Sequence, residues 1–264
     1  PAAGANPGAG AAPTRGDVAT PGAGANPGAG ATAGGASTPG MAATPAAADI
    51  PAPPAEDIEA RRRALAGLEE QVRACTLCPL HEGRTNGVPG MGVLDPLVMI
   101  IGEGPGAEED RKGLPFVGRA GQYLDKWLQA IGLSRERDVY IANIGKCRPP
   151  GNRDPQTVEI DSCTPYLRRQ IDIIRPRSIL AVGRFAGSWL SGQVDSLGRM
   201  RGRTFDFRGV PVVVTYHPSG VLRNPEYRRP VWEDLKRLRE LYAGGADADS
   251  AGARDGGGDG PGRE

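Results

Sequence analysis

The chain has 264 residues, including 40 Gly and 25 Pro, and a formal net charge of +1. Glycine and proline at this level indicate low-complexity sequence, which here is concentrated at the two ends. The composition excludes a coiled coil and a multi-domain machine, and no apolar run approaches the roughly 20 residues of a membrane span.

Both ends of the chain are predicted to be disordered. Residues 1–56 are rich in Ala, Gly and Pro, and residues 1–11 recur at 21–31 with ten of eleven positions identical. Residues 243–264 are rich in Gly and Asp. Such segments cannot bury enough apolar surface to offset the entropy of ordering them. The repeat is therefore interpreted as a linker, and one domain is expected over residues 57–242.

The charge of the central domain differs from that of the ends. Residues 57–242 carry 29 Lys and Arg against 23 Asp and Glu, which fits a polyanionic partner, although solvated surface charge gives the same sum. The N-terminal stretch lacks the apolar core of a signal peptide. We therefore expect a cytoplasmic protein.

Helical and strand patterns alternate through the central domain. In chain order they predict a helix at 65–75, a strand at 97–101, a helix at 124–131, a strand at 139–144, a helix opening at Asp154 and Pro155, and strands at 178–182 and 210–216 before a helix at 231–241. Buried strands separated by helices predict an α/β fold, a three-layer α/β/α sandwich around a mostly parallel four-stranded sheet. Ligands of such sheets bind beyond the carboxyl ends of the strands.

Four cysteines suggest a thiolate site. Cys75 and Cys78 form a C-x2-C pair at a helix end, and Cys147 and Cys163 follow in the domain. Free buried thiols are one interpretation, but the close pair favours ligation by all four. Zinc and a [4Fe–4S] cluster both accept four thiolates, and the spacing does not choose between them.

Two strand ends carry further motifs. The segment 102–107 (GEGPGA) matches a dinucleotide-binding pattern, which requires a helix at its end and an acidic residue on the next strand. Here acidic residues 108–110 follow, Pro115 is close behind, and the next strand carries Asn143, so we reject a nucleotide cofactor. His217 follows the strand at 210–216. A lone His is often structural, but this position favours a functional role.

Together these motifs resemble the iron–sulfur uracil-DNA glycosylases, family 4 of that superfamily. The segments that carry the resemblance, in the family's order, are 75–80 (CTLCPL), 102–110 (GEGPGAEED), 113–121 (GLPFVGRAG), 143–153 (NIGKCRPPGNR) and 216–219 (YHPS). The resemblance covers essentially the whole domain. It implies a monofunctional uracil-DNA glycosylase, acting as a monomer on uracil-containing DNA, single- or double-stranded. It also implies that the four cysteines hold a [4Fe–4S] cluster.

The resemblance also implies roles for residues at the strand ends. Phe116 would stack on a flipped uracil, and the Asn143 amide would match uracil O4 and N3–H. The alternatives are a core Phe and a capping Asn. His217 would hydrogen-bond uracil O2 as charge develops there, and Glu103 would position the attacking water.

Other residues would set selectivity and bind DNA. Gly104 stands where other branches of the superfamily have Asp or Asn, and Glu109 would block the C5 methyl of thymine; an acidic surface turn is the alternative. Val221 or Leu222 would wedge into the minor groove, with Arg223 near a phosphate. Backbone contacts are expected from Arg148, Arg153, Arg201 and Arg203.

The family more often has a bulky aliphatic residue where this chain has Gly145. Two alternative functions are compatible with the same fold. A covalent uracil-DNA trap would need a histidine, which the segment 149–155 lacks. A cluster-bearing DNA-binding adaptor with little catalysis remains the alternative function.

Overall fold

The computed structural model describes the backbone of residues 54–251 and the side chains of residues 54–243. The segments predicted to be disordered, 1–56 and 243–264, lie largely outside these residues. Among the described helices, none is long and apolar enough to cross a membrane. The last helix continues to Ala251, past the predicted domain end at residue 242.

Six strands in the described part of the chain form one sheet, in the order β1-β3-β2-β4-β6-β5. They are β1 (Met91–Gly92), β2 (Val98–Gly102), β3 (Val139–Asn143), β4 (Ser178–Val182), β5 (Thr204–Phe207) and β6 (Val210–Thr215). The inner four are parallel, whereas β1 and β5 add antiparallel edges. These inner strands are the predicted apolar runs, so the α/β fold is confirmed, but the sheet is two strands wider than predicted.

The two edge strands lack the apolar runs that identify the inner ones. β1 has two residues, and three of the four residues of β5 are exposed or half-buried. β5 joins β6 through Arg208 and Gly209, which have φ of 55° and 86°. Positive φ at both central residues is typical of a type I′ hairpin turn, in which glycine is favoured.

Helices cover both faces of the sheet and complete three layers. They are α1 (Ile58–Ala74), α2 (Leu80–Gly83), α3 (Ala107–Lys112), α4 (Arg119–Ala130), α5 (Thr157–Ile174), α6 (Arg184–Ser191), α7 (Leu197–Met200), α8 (Pro218–Arg223) and α9 (Arg228–Ala251). The side chains of successive β2 residues point to opposite faces of the sheet. Val98 and Ile100 belong to the core with α4 and α9, and Met99 and Ile101 to the core with α5 and α6.

The start of α5 differs from the prediction. The helix begins at Thr157 with Gln156 as its N-cap, not at Asp154 and Pro155. The Glu159 carboxylate accepts a hydrogen bond from the main-chain N–H of Gln156 at 2.7 Å. This bond closes the first turn two residues later than the Asp-Pro pair indicates.

Two segments expected as loops are short helices. The GEGPGA motif leads directly into α3, so the helix that a dinucleotide-binding motif requires is present, contrary to the prediction. The next strand still carries Asn143 where that motif requires an acidic residue, which disfavours a nucleotide cofactor. The segment after His217 is α8, with His217 as its N-cap and Pro218 in its first turn. Six residues are too few for apolar periodicity to identify a helix.

The buried Arg61 joins α1 to the rest of the domain. Its side chain is 1% exposed and donates two hydrogen bonds to the Asp95 carboxylate, at 2.9 and 2.7 Å. It also donates to the main-chain carbonyls of Ile173 and Ile174, at the end of α5, at 2.8 and 3.1 Å. The guanidinium therefore provides a donor to the buried Ile173 carbonyl and a second donor to that of Ile174, which also accepts from the main-chain N–H of Asp95 at 2.8 Å.

Arg61→Met is expected to lower the free energy of unfolding by about 1–3 kcal/mol, because it removes the donor to the buried Ile173 carbonyl and the ion pair with Asp95. Urea unfolding followed by circular dichroism measures the loss. The matched control is Arg62→Met, whose side chain is 67% exposed and, within the described part of the chain, forms a single ion pair, with Glu59 at 3.6 Å. The control is expected to change stability by less than about 0.5 kcal/mol. Equal effects of the two substitutions would contradict this role for Arg61.

Candidate active site

The register of the parallel strands places their carboxyl ends at one level. Gly102 at the end of β2 pairs with Asn143 at the end of β3, and Val182 of β4 pairs with Thr215 of β6. A cavity of about 560 Å³ lies at this edge of the sheet. Nine of the predicted site residues line it: Glu103, Gly104, Glu109, Phe116, Asn143, Cys147, Arg153, His217 and Arg223.

Phe116, Asn143 and His217 meet around Gly102. The ring centroids of Phe116 and His217 lie 5.6 Å apart, with the planes tilted by 33°. A Cβ atom on Gly102 would lie 2.6 Å from Cζ of Phe116 and 2.5 Å from Oδ1 of Asn143. The sequence analysis missed this constraint on Gly102, although a glycine that ends a buried strand beside a motif is a signal of close approach.

The Asn143 side chain is buried and incompletely paired. The residue is 2% exposed, and its Oδ1 is a buried oxygen without a hydrogen-bond partner in the described part of the chain. An unpaired buried acceptor costs about 1–3 kcal/mol, so such atoms in folded proteins require a reason. An N–H donor on a bound ligand would satisfy this oxygen.

His217 is a neutral imidazole with a defined tautomer. Its Nδ1 accepts a hydrogen bond from the main-chain N–H of Ser219 at 3.2 Å and lies 2.8 Å from the Ser219 hydroxyl. Burial, with a smaller contribution from the nearby Arg223 charge, lowers the pKa of His217 to about 4. Because Nδ1 accepts, the ring hydrogen lies on Nε2, which is a hydrogen-bond donor.

Glu103 has an unusual acidity for a carboxyl group. Burial, with a smaller contribution from the nearby charge of Asp154 and a partial offset from Arg184, raises its pKa to about 7. The group therefore changes charge near neutral pH, as a general base or water-positioning carboxylate does. Beside it, a Cβ on Gly104 would meet only a main-chain oxygen at 4.0 Å, so the Asp or Asn of other branches would fit.

Glu109 uses both carboxylate oxygens to hold the main chain. Oε1 accepts from the N–H groups of Val117 and Gly118, each at 2.8 Å, and Oε2 accepts from that of Gly106 at 3.2 Å. The residue thus joins the start of α3 to the loop that carries Phe116. The alternative of a solvated acidic turn does not describe Glu109, although Glu108 is exposed and pairs with Arg111 at 2.7 Å.

The residues predicted to contact DNA differ in how exposed their side chains are. Val221 is 1% exposed and packs in the core beneath α8, so it is not available as a wedge; Leu222 is 39% exposed. The side chain of Arg201 is 13% exposed and donates to the Asp234 carboxylate at 2.7 Å, which disfavours its predicted phosphate contact. Residues adjacent in a helix point about 100° apart, which explains why only one of the Val-Leu pair is exposed.

Gly145 is compatible with the family's bulkier residue. A Cβ there would have its nearest neighbour, the main-chain oxygen of Glu103, at 3.4 Å. The Gly145 N–H donates to this same oxygen at 2.9 Å, which fixes the backbone beyond the end of β3. A glycine makes the backbone near Asn143 and Cys147 more flexible, and this hydrogen bond opposes that effect.

A second, smaller cavity is lined by all four cysteines, Cys75, Cys78, Cys147 and Cys163, which are free thiols. Burial raises the pKa of the thiols of Cys78 and Cys147, and that of Cys163 to about 12. Among residues 54–243, no three His, Cys, Asp or Glu side chains are arranged to hold a metal ion. The four sulfur ligands that the sequence predicts nonetheless share one enclosed space.

Hydrogen-bond donors and cations surround these sulfur atoms. Arg84 donates to Sγ of Cys147 at 2.9 Å, and the main-chain N–H of Lys146 hydrogen-bonds to Cys163. The Lys146 side chain is 1% exposed, lines the same cavity and donates to the main-chain oxygen of Asn143 at 2.7 Å. N–H donors and adjacent positive charge stabilise thiolates, so this donor set fits a group held by four cysteines.

Comparisons with known proteins agree with this geometry. The family model of the uracil DNA glycosylase superfamily matches residues 89–236. A type-4 uracil-DNA glycosylase of Thermotoga maritima is 46% identical over 185 residues, 69% of this chain and 96% of the relative. One of Archaeoglobus fulgidus is 41% identical over 186 residues, 67% and 93%. A type-5 enzyme of Pyrobaculum aerophilum is 34% identical over 151 residues, 50% and 65%.

The raised pKa of Glu103 predicts a pH-dependent effect on stability. Between pH 4.5 and about 7 the folded protein keeps a proton that the unfolded chain releases. The stability from this group is therefore present below pH 4.5 and is lost as the pH rises through about 7. Glu103→Gln, which is always neutral, is expected to exceed the wild-type free energy of unfolding by about 1–2 kcal/mol near pH 8, after allowance for solvent screening.

Urea unfolding of both proteins near pH 4 and near pH 8 measures this difference. We expect the gain of Glu103→Gln over the wild type to be larger at the higher pH. The exposed Glu136 provides the control, since Glu136→Gln is expected to shift stability equally at both pH values. A pH-independent effect of Glu103→Gln would contradict the raised pKa.

Proposed function

The chain belongs to the uracil-DNA glycosylase superfamily, and we propose that it hydrolyses the N-glycosidic bond of uracil in DNA, leaving an abasic site for base-excision repair. The observation that carries the proposal is the buried, unpaired Oδ1 of Asn143, in one cavity with the Phe116 ring and His217. A base in a duplex is out of reach, so the uridine would rotate out of the stack into this cavity.

Asn143 and Phe116 would recognise the base. Oδ1 of Asn143 would accept a hydrogen bond from uracil N3–H while Nδ2 donates to O4. Cytosine carries an acceptor at N3 and a donor at C4, so the same amide would reject it. The Phe116 ring would stack on the base, and Glu109, which lines the cavity, would exclude the C5 methyl of thymine.

His217 and Glu103 would promote bond cleavage. When the bond breaks, negative charge develops on uracil O2 and positive charge on the sugar. His217 stays neutral, so its Nε2–H would donate a hydrogen bond to O2 without transferring a proton. The Glu103 carboxylate would hold the attacking water and accept its proton on the sugar side, a role that requires the ionised form.

The exposed side of α8 would contact DNA. Leu222 is the candidate for the apolar wedge that fills the space left by the flipped nucleotide, in place of the buried Val221. Arg223, which lines the mouth of the cavity, would pair with a phosphate. The substrate would be single- or double-stranded DNA.

We also propose that Cys75, Cys78, Cys147 and Cys163 hold a [4Fe–4S] cluster. The support is their shared cavity, the N–H donors aimed at the sulfur atoms and the positive charge of Arg84. When bound, such a cluster cross-links the chain segments that supply its ligands and provides a redox-capable centre. Its site abuts the end of β3, from which Asn143 projects.

The glycosylase proposal is tested with a labelled oligonucleotide that contains one uracil, followed by alkaline cleavage of abasic sites. The wild type is expected to cut at uracil only, with thymine and cytosine controls intact. His217→Ala is expected to lower the rate by about 10²–10³, because it removes the donor to O2. DNA binding is expected to persist in this variant.

Ser219→Ala is the matched control, since it keeps the main-chain N–H that orients His217 and is expected to cost less than about tenfold. A wild-type protein that binds uracil-DNA without cutting it would contradict the proposal and favour an adaptor. Equal activity of wild type and His217→Ala would contradict the role given to His217.

Metal analysis of anaerobically purified protein tests the cluster. We expect about four iron atoms per chain. Cys163→Ser is expected to lose most of this iron, and the neighbouring Ser162→Ala to retain it. Stoichiometric zinc in place of iron would contradict the proposed cluster while supporting the four-thiolate site.

A further inference from the structure

The backbone of Phe116 is held in a conformation that bulky residues avoid. Its φ is 51°, in the left-handed region. Strain of this kind costs about 1–3 kcal/mol and persists only where the surroundings enforce it, often at a ligand site. The ring that results is 6% exposed and lies against Gly102, 5.6 Å from the ring of His217.

Arg135 contacts this backbone from outside the cavity. It lies in the turn between α4 and β3, and its side chain is 13% exposed. Nη1 donates to the carbonyl of Pro115 at 3.1 Å, and Nη2 donates to that of Phe116 at 2.9 Å. Nε and Nη2 also donate to Oδ1 of Asp125, on α4, at 2.9 and 2.7 Å.

The opposite side of the same loop is held independently. The Glu109 carboxylate accepts from the N–H groups of Val117 and Gly118, both at 2.8 Å. On α4, a Cβ at Gly121 would lie 1.7 Å from the carbonyl oxygen of Phe116, so only glycine permits this approach. The loop is thus bound through its carbonyls by a cation and through its N–H groups by an anion.

We propose that Arg135, oriented by Asp125, is a positioning residue for uracil recognition and fixes the Phe116 ring in its stacking position. The inference rests on the proposed function. Without the guanidinium the two carbonyls lose their donors, and the Phe116 backbone relaxes out of the left-handed region. The ring then turns away from the base, while the groups that bind the DNA backbone are unchanged.

The test compares Arg135→Met with the wild type by two measurements. Free uracil, which would occupy the base pocket, is the inhibitor used, and its inhibition constant is expected to rise about tenfold or more when stacking is lost. The affinity for undamaged DNA is expected to stay within about twofold, because phosphate contacts carry it. Arg135→Lys is expected to give an intermediate constant, since lysine keeps the charge but not the planar fork.

A double-mutant cycle separates positioning from general stability. If Arg135 acts through the ring, adding Arg135→Met to Phe116→Ala changes the uracil inhibition constant by less than about twofold. The inference would be overturned if the effects of the two substitutions on the uracil inhibition constant multiplied in the double variant. It would also be overturned if Arg135→Met alone left this constant unchanged. Arg137→Met is the matched control, because that side chain is 73% exposed and, among the described residues, forms an ion pair with its neighbour Asp138 alone.

A folding check accompanies the cycle. Thermal melts establish that each variant is folded at the assay temperature. If Arg135→Met is unfolded, Asp125→Asn replaces it, because Asp125 is 40% exposed and its loss frees the guanidinium without removing it. A rise of the uracil inhibition constant in Asp125→Asn would then support the inference, and an unchanged constant would contradict it. A wild type that leaves uracil in DNA would contradict the proposed function, whereas an active wild type with an unaffected variant would contradict this inference alone.

Discussion

The common level at which four parallel strands end determines where the chemical groups of the site stand. Gly102 and Asn143 are paired residues of neighbouring strands, and His217 follows two residues after Thr215 of β6. Because these strands are buried on both faces, the polar side chains of the site lie at or beyond their carboxyl ends. The fit at Gly102, where any Cβ would meet Phe116 and Asn143, then fixes the spacing of the pocket.

The parts of the fold that could be predicted are those with a strong apolar pattern. Residues 98–101 of the predicted run at 97–101 are buried in β2, and the stripe at 124–131 lies on α4 and its C-cap. The edge strands and the helices α3 and α8 could not be predicted in the same way. They are two to six residues long and stabilised by tertiary packing and capping, which leave no periodic signal in the sequence.

The site was predictable in its residue types but not in its contacts. Strand ends and motifs located Asn143 and His217, since topology alone brings them to one edge. The three hydrogen bonds of Glu109 to main-chain N–H groups depend on loop conformation, as do the four that Arg135 makes, and no local pattern encodes them. Burial of Val221 could be inferred only once residues 218–223 were known to form a helix.

The central claim is that the pocket holds a neutral His217 with its hydrogen on Nε2, ready to meet charge on the leaving base. Ring-nitrogen NMR of protein labelled at its two histidines, assigned with His217→Ala, tests this directly. The account predicts an uncharged ring with Nε2–H from about pH 5.5 to about pH 9. A ring that titrates near its ordinary pKa of about 6.5, or that carries the hydrogen on Nδ1, would contradict it.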